Sequence, residues 1–150
     1  MANLDEIAER IHQAFVAQTS ARDAALAQAR TLTRHCSQSI RAIHRNEREL
    51  AQQELEAARQ LVLALQQGLR DYPDLYYAGY TQDALKEYAE AGIVLALLTG
   101  QEVPSPEELD VNFATYLKGL AEAGGELRRR CLDILRDGYS AEAERILAHM

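Results

Sequence analysis

Ile7, Ile11 and Phe15, and further on Leu32, Cys36, Ile40 and Ile43, recur at the three- and four-residue spacing of one helix face. That spacing commits roughly residues 4–45 to a single long helix, with Thr19 and Ser20 as the place where a break would fall. The commitment decides the fold class, because the rest of the chain offers only further helices to pack on it. Val and Ile are scarce, strand-like runs are nearly absent, and only 3 Pro and 8 Gly punctuate 150 residues.

The other elements follow from local signals. Asn46 reads as a stop before a second helix over about 47–70, whose apolar stripe is Leu50, Leu55, Ala58, Leu61, Val62 and Leu65. Pro73 disfavours helical geometry at Tyr72, so "DYPD" closes that helix. A third runs over about 74–99 and ends at Gly100, a residue suited to a left-handed C-cap. In "QEVPSPEELD", Ser105 precedes Pro106 and two acids, a strong helix start. The fourth helix then covers about 106–136 with a break near Asp110, Gly138 closes it, and a short fifth occupies 140–149. The expected fold is all-α: an antiparallel bundle of about five helices, the first one long, in a single domain over residues 1–150.

Composition narrows the function. The early acids Asp5, Glu6 and Glu9 and the lack of an apolar leader argue against a signal peptide. No apolar run approaches the ~20 residues needed to span a bilayer, so no membrane association is expected. Cys36 and Cys131 are isolated thiols outside any short ligand-spacing motif. They fit buried small hydrophobes in a reducing compartment, hence a cytoplasmic location, and not a zinc pair. A net charge of −7 excludes a chain that is basic all over, though not a basic patch. Fourteen of the 16 basic side chains are Arg, the residue preferred for planar contact with phosphate or carboxylate.

Two polar constellations stand out. On a wheel of about 100° per residue, Asp83, Glu87 and Glu90 share one face of the third helix, and Glu122 and Glu126 share a face of the fourth, with Asp133 further along. Gly119, Gly124 and Gly125 interrupt that fourth helix at a cost of roughly 1 kcal/mol each relative to Ala, one reason being close approach to another backbone. If the two helices are neighbours, two acids from each converge. Clustered oxygen ligands without His or Cys suit Mg²⁺ or Mn²⁺, which activate water and clamp phosphate oxygens. The Glu-x-x-His element of di-iron bundles is missing, because position 90 is Glu. The plainer alternative is a solvated face, or ion pairs with Arg128, Arg129 or Arg130.

The second constellation lies on the first helix. Arg30, Arg34, Arg41, Arg45 and Arg48 fall within about 60° of one another at 100° per residue, with His44 adjacent and the apolar stripe opposite. Such a row suits a phosphate backbone, and Tyr72, Tyr76, Tyr77 and Tyr80 are candidates for base stacking. The alternative is pairing with Glu47, Glu49 or Glu54, or simple solubility.

"SIRAIHRNE", "YTQDALKEYAEAGIVLALLTG" and "YLKGLAEAGGELRRRCLDILRDGYSAEAERIL" resemble successive blocks of the translin/Trax superfamily, most closely its prokaryotic Trax-like branch, over most of residues 30–147. LKEYAEA stands where the family has an LQEYVEA-like motif and GLAEAGGEL where it has a GVADLTGEL-like one. The resemblance implies an all-α fold, a closed homo-oligomer that binds single-stranded RNA or DNA inside, and, for Trax-like members, Mg²⁺-dependent (or Mn²⁺-dependent) endoribonuclease activity. It places Glu87, Glu90, Glu122 and Glu126 at the metal site, the first three being catalytic. The family's basic His-Arg pair falls on His44 and Arg45, which with Arg34 and Arg41 of the arginine row are the candidates to contact nucleic acid. The alternative is a translin-like protein that binds single strands without cleaving them. Position 122 is Glu where catalytic members carry Asp, a ligand one methylene longer, and position 124 is Gly where Thr is usual. The sequence stops soon after the Asp-Gly-Tyr turn, where the family continues into further helix, so the domain is expected to lack the usual C-terminal helices.

Overall fold

A computed structural model describes residues 3–150, and among them every regular element is helical. The first, α1, runs unbroken over Leu4–His44, capped at Asn3; Thr19 and Ser20 do not interrupt it. Its 41 residues span about 60 Å, twice the length of the 21-residue helices α2 (Arg48–Gly68) and α4 (Gly79–Thr99). Only the C-terminal half therefore finds cover. Ala25, Ala29, Leu32, Cys36, Ile40 and Ile43 are buried, whereas Ile11 and Phe15 of the same stripe remain 48% and 63% exposed.

The turn to α2 is set at Asn46, in the left-handed region at φ 62°, a conformation that Asn tolerates. The Ser39 hydroxyl donates to the Ala51 carbonyl at 2.8 Å, and the fully buried Ala42 and Ala51 let the chain fold back closely. Arg48 consequently opens α2 and leaves the arginine row of α1.

The segment expected as one third helix is two: α3 (Pro73–Tyr76) and α4. Side chains of α4 divide them. Thr81 Oγ1 donates to the Leu75 carbonyl and Gln82 Nε2 to the Tyr76 carbonyl, both at 2.8 Å, so the end of α3 is satisfied without continuing the helix. The fourth helix divides at Asp110, with φ 54°, where its break was expected, into α5 (Pro106–Leu109) and α6 (Phe113–Leu135). Ser105 caps α5 in a reciprocal pair with Glu108, and Gly100 ends α4 at φ 72°. The last element, α7, is Ala141–Leu147. Cys36 and Cys131 are both buried and unpaired, as the composition suggested.

Helix α4 is the central element, buried over nearly its whole length and packed on α1, α2 and α6. The contact with α6 depends on Gly119. A Cβ there would lie 3.0 Å from the Lys86 carbonyl oxygen, the Glu90 nitrogen and the Ala89 Cβ. The buried stripe of α6 is Thr115, Gly119, Ala123, Leu127 and Cys131. Gly124 and Gly125 lie off that stripe and meet nothing within 4 Å, so close approach accounts for one of the three glycines.

Candidate metal centre and arginine face

The closest approach of α4 and α6 sets the acidic site. Glu87 and Glu90 stand on α4 beside the Gly119 contact, and Glu122 follows Gly119 by one turn on α6. Carboxylate oxygens of Glu87, Glu90 and Glu122 lie within 4.8 Å of one another. The two acidic helices are neighbours, and three of the four glutamates meet.

The fourth stands aside. Glu126 Oε2 is 2.6 Å from His44 Nε2 and 3.7 Å from Arg129. A carboxylate accepts such a bond, with Nε2–H as the donor in the matching tautomer. Nδ1 of His44 is buried without a partner. Asp83 is exposed, and Asp133 pairs with Arg136 along the same helix. The trio Arg128–Arg130 does not neutralise the three-glutamate cluster: Arg130 bonds instead to the His44 carbonyl, Asn46 and Glu142, joining α6 to α7 and to the turn after α1.

The cation in the cluster is Lys86, a residue that the spacing of the acids does not single out. Its Nζ is 2.8 Å from Glu87 Oε1 and 2.5 Å from Glu122 Oε2, and its side chain is only 14% exposed. A wheel puts position 86 about 40° from Glu90, so the signal was present in the sequence. Burial by itself would lower the lysine pKa; the hydrogen bonds that it donates to Glu122 and Glu87 outweigh it and hold the ammonium above its ordinary range.

Glu90 is the unusual acid. It is 7% exposed and forms no ion pair with any described residue, while Glu87 and Glu122 both meet Lys86. Burial first, then the charges of Glu87, Glu122 and Glu126, push its carboxyl up to about 7, with Lys86 opposing. Cys36 lies behind the site, its thiol raised by burial and by the charges of Glu87 and Glu90. A buried carboxylate without a partner, aimed into two others, fits a cation. The donors are all hard oxygens, which suit Mg²⁺ or Mn²⁺. Oxygens about 2.1 Å from such an ion stand at most roughly 4.2 Å apart, so the cluster needs to draw in only slightly.

On α1, Arg30, Arg34 and Arg41 are exposed and carry no acidic partner among the described residues. Arg45 is exposed but held by Glu47 through bonds of 3.0 and 2.8 Å. His44 is turned inward onto Glu126, its side chain 6% exposed, so its place is beside the acidic site and not on the arginine face. A groove of about 370 Å³ between α1 and α4 is lined by Arg30, Thr33, Tyr80, Asp83 and Glu87 among others, and so joins the arginine face to the acids. Of the other tyrosines, Tyr77 is exposed and packs edge-on against Tyr76. Among the described residues no helix is long and apolar enough to cross a membrane.

Fold and site together define an all-α bundle with a carboxylate cluster between two core helices, beside a long helix bearing arginines. Solved structures share this architecture. AfC3PO is 32% identical, matched over 97% of this chain and 73% of that one, with a TM-score of 0.81. A complex of AfC3PO with duplex RNA gives 33% identity, 97% and 72% coverage and a TM-score of 0.80. Apo-NeC3PO, at 23% identity and a TM-score of 0.82 over 97% and 75% of the two chains, shares the fold. The chain belongs to the translin/Trax-like superfamily of these C3PO proteins. An uncharacterized protein of Methanocaldococcus jannaschii is 30% identical over 133 residues, which cover 87% of this chain and 59% of that relative's length. No family model matches the sequence.

Proposed function

We propose that this chain forms a nucleic-acid-binding oligomer of translin/Trax type that cleaves single-stranded RNA with the help of a divalent cation. The observation that carries the reading is the meeting of Glu87, Glu90 and Glu122 from two helices, with Glu90 buried and unpaired. Glu87, Glu90 and Glu122 would hold Mg²⁺ or Mn²⁺, and Glu126, oriented by His44, would complete the acidic surroundings at the next position. Such an ion supplies an activated water and a clamp on phosphate oxygens. Arg34 and Arg41 would bind the strand through its phosphates, and the groove with Arg30 and Tyr80 would guide it towards the acids. The RNA-bound AfC3PO structure supports contact with nucleic acid. The exposed apolar residues Ile11 and Phe15 on α1, and Phe113, Leu117 and Leu120 on α6, support assembly with further subunits.

Calorimetric titration with Mn²⁺ tests the site. Binding is expected for wild type and absent in a folded Glu87→Ala/Glu90→Ala double variant; equal heats from the two would remove the site. In Mg²⁺, product from a labelled RNA strand is expected from wild type alone, whereas retained strand binding without product selects the non-catalytic alternative.

The arginine face has its own test. Arg34→Ala/Arg41→Ala is expected to weaken binding of a fluorescent single strand roughly tenfold or more. The log–log salt dependence should become shallower by about 1.4, or 0.7 for each phosphate no longer neutralised. Unchanged affinity and slope would place the strand elsewhere.

A further inference from the structure

We propose that Lys86 is a built-in counter-ion of the acidic site, competing with the divalent cation for Glu87 and Glu122, so that metal loading displaces its ammonium. This rests on the metal-site reading above. Lysine is rarely enclosed, yet this ammonium bonds to two of the three clustered carboxylates, one from each helix. Both contacts are charge-assisted and stronger than neutral hydrogen bonds. A cation seated between Glu87 and Glu122 draws on the same two carboxylates and repels the ammonium, so the two occupants compete.

The chemistry of the side chain suits a removable occupant. Lysine carries a compact charge on a flexible four-carbon stem and can swing out, whereas a planar guanidinium would bridge the carboxylates in a fixed geometry. With Lys86 in place the like charges of Glu87 and Glu122 are offset, so the bundle closes without metal. Lys86 then sets the concentration at which the site fills: a weak supply of metal leaves the lysine seated, and a strong one displaces it.

The test is calorimetric titration of Mn²⁺ into the full chain, comparing wild type, Lys86→Met and the Glu87→Ala/Glu90→Ala variant, with thermal melts of each with and without Mn²⁺. Lys86→Met is expected to bind Mn²⁺ roughly tenfold or more tightly than wild type, since two charge-assisted bonds no longer have to be broken. Its metal-free melting temperature should fall, and the rise on adding Mn²⁺ should exceed that of wild type. Equal or weaker affinity in Lys86→Met, with wild type binding, would overturn the role of Lys86 and leave the metal site standing. No binding by folded wild type and folded Lys86→Met would remove both. Lys86→Gln, which keeps a polar end without the charge, provides the same comparison should the methionine variant fail to fold.

Discussion

Gly119→Val is expected to destabilise the chain by about 3 kcal/mol or more and to abolish Mn²⁺ binding without touching a carboxylate. Even a lone Cβ at this position meets the Lys86 carbonyl oxygen, the Glu90 nitrogen and the Ala89 Cβ at 3.0 Å. Two of those neighbours are backbone atoms of a central, buried helix, and neither can rotate away. Valine adds two methyl groups beyond the Cβ, and its stiff χ1 gives them few alternative positions. The helices must separate where Glu122 reaches Glu87 and Glu90, so stability and site geometry fail together. Gly124→Ala is the control on the same helix: with nothing within 4 Å, it should gain up to about 1 kcal/mol from helix propensity and leave binding intact. Denaturant unfolding and calorimetry of both variants check this. Equal stability of Gly119→Val and wild type would show that the two helices are not held this closely.

Acid is expected to stabilise the metal-free protein through Glu90, by about 3 kcal/mol between neutral pH and pH 4.5. Burial and neighbouring acids raise this carboxyl from 4.5 to about 7 in the folded chain. Across that window the folded state keeps a proton that the unfolded chain has released, so unfolding releases a proton. The Glu90 contribution is therefore fully present below pH 4.5 and is lost as pH rises through 7. Glu90→Gln removes the titrating group while keeping nearly the same shape. In chelator, its stability should vary less with pH than that of wild type over this window, the gap widening towards pH 7.5 in favour of the variant. Parallel pH profiles for the two chains would mean that Glu90 is not held in a buried, acid-rich setting.

The parts of this molecule that could be read from sequence are those set by a few adjacent residues. Ser105, Gly100, Asn46 and Pro73 mark boundaries through their own backbone preferences, and the structure places breaks or caps at each. The break at Asp110 was legible too, but splitting the third helix was harder, because the separation of α3 from α4 depends on Thr81 and Gln82 reaching back to carbonyls behind them. Periodicity also marks a face as apolar without saying whether anything covers it: Ile11 and Phe15 continue the stripe of Leu32 and Cys36, but α1 outruns its partners.

The acidic site divides in the same way. Spacing put Glu87 beside Glu90, and Gly119 hinted at a close helix pair, from which the meeting with Glu122 follows. The cation does not emerge from the pattern of acids alone, although Lys86 shares their face. The partner of Glu126 was not legible, since His44 is 82 positions away and only the packed bundle brings the two together. That packing also turns His44 inward, away from the arginines that it neighbours in sequence.

No joint interrupts α1 between Leu4 and His44, so its bare outer stretch and its arginine-bearing stretch turn as one shaft. A neighbour gripping Ile11 and Phe15 would set the heading of Arg41 about 45 Å away, with no relay of side chains between them. On the proposed function, docking at the overhang and the aim of the arginines at a strand would thereby be geared together.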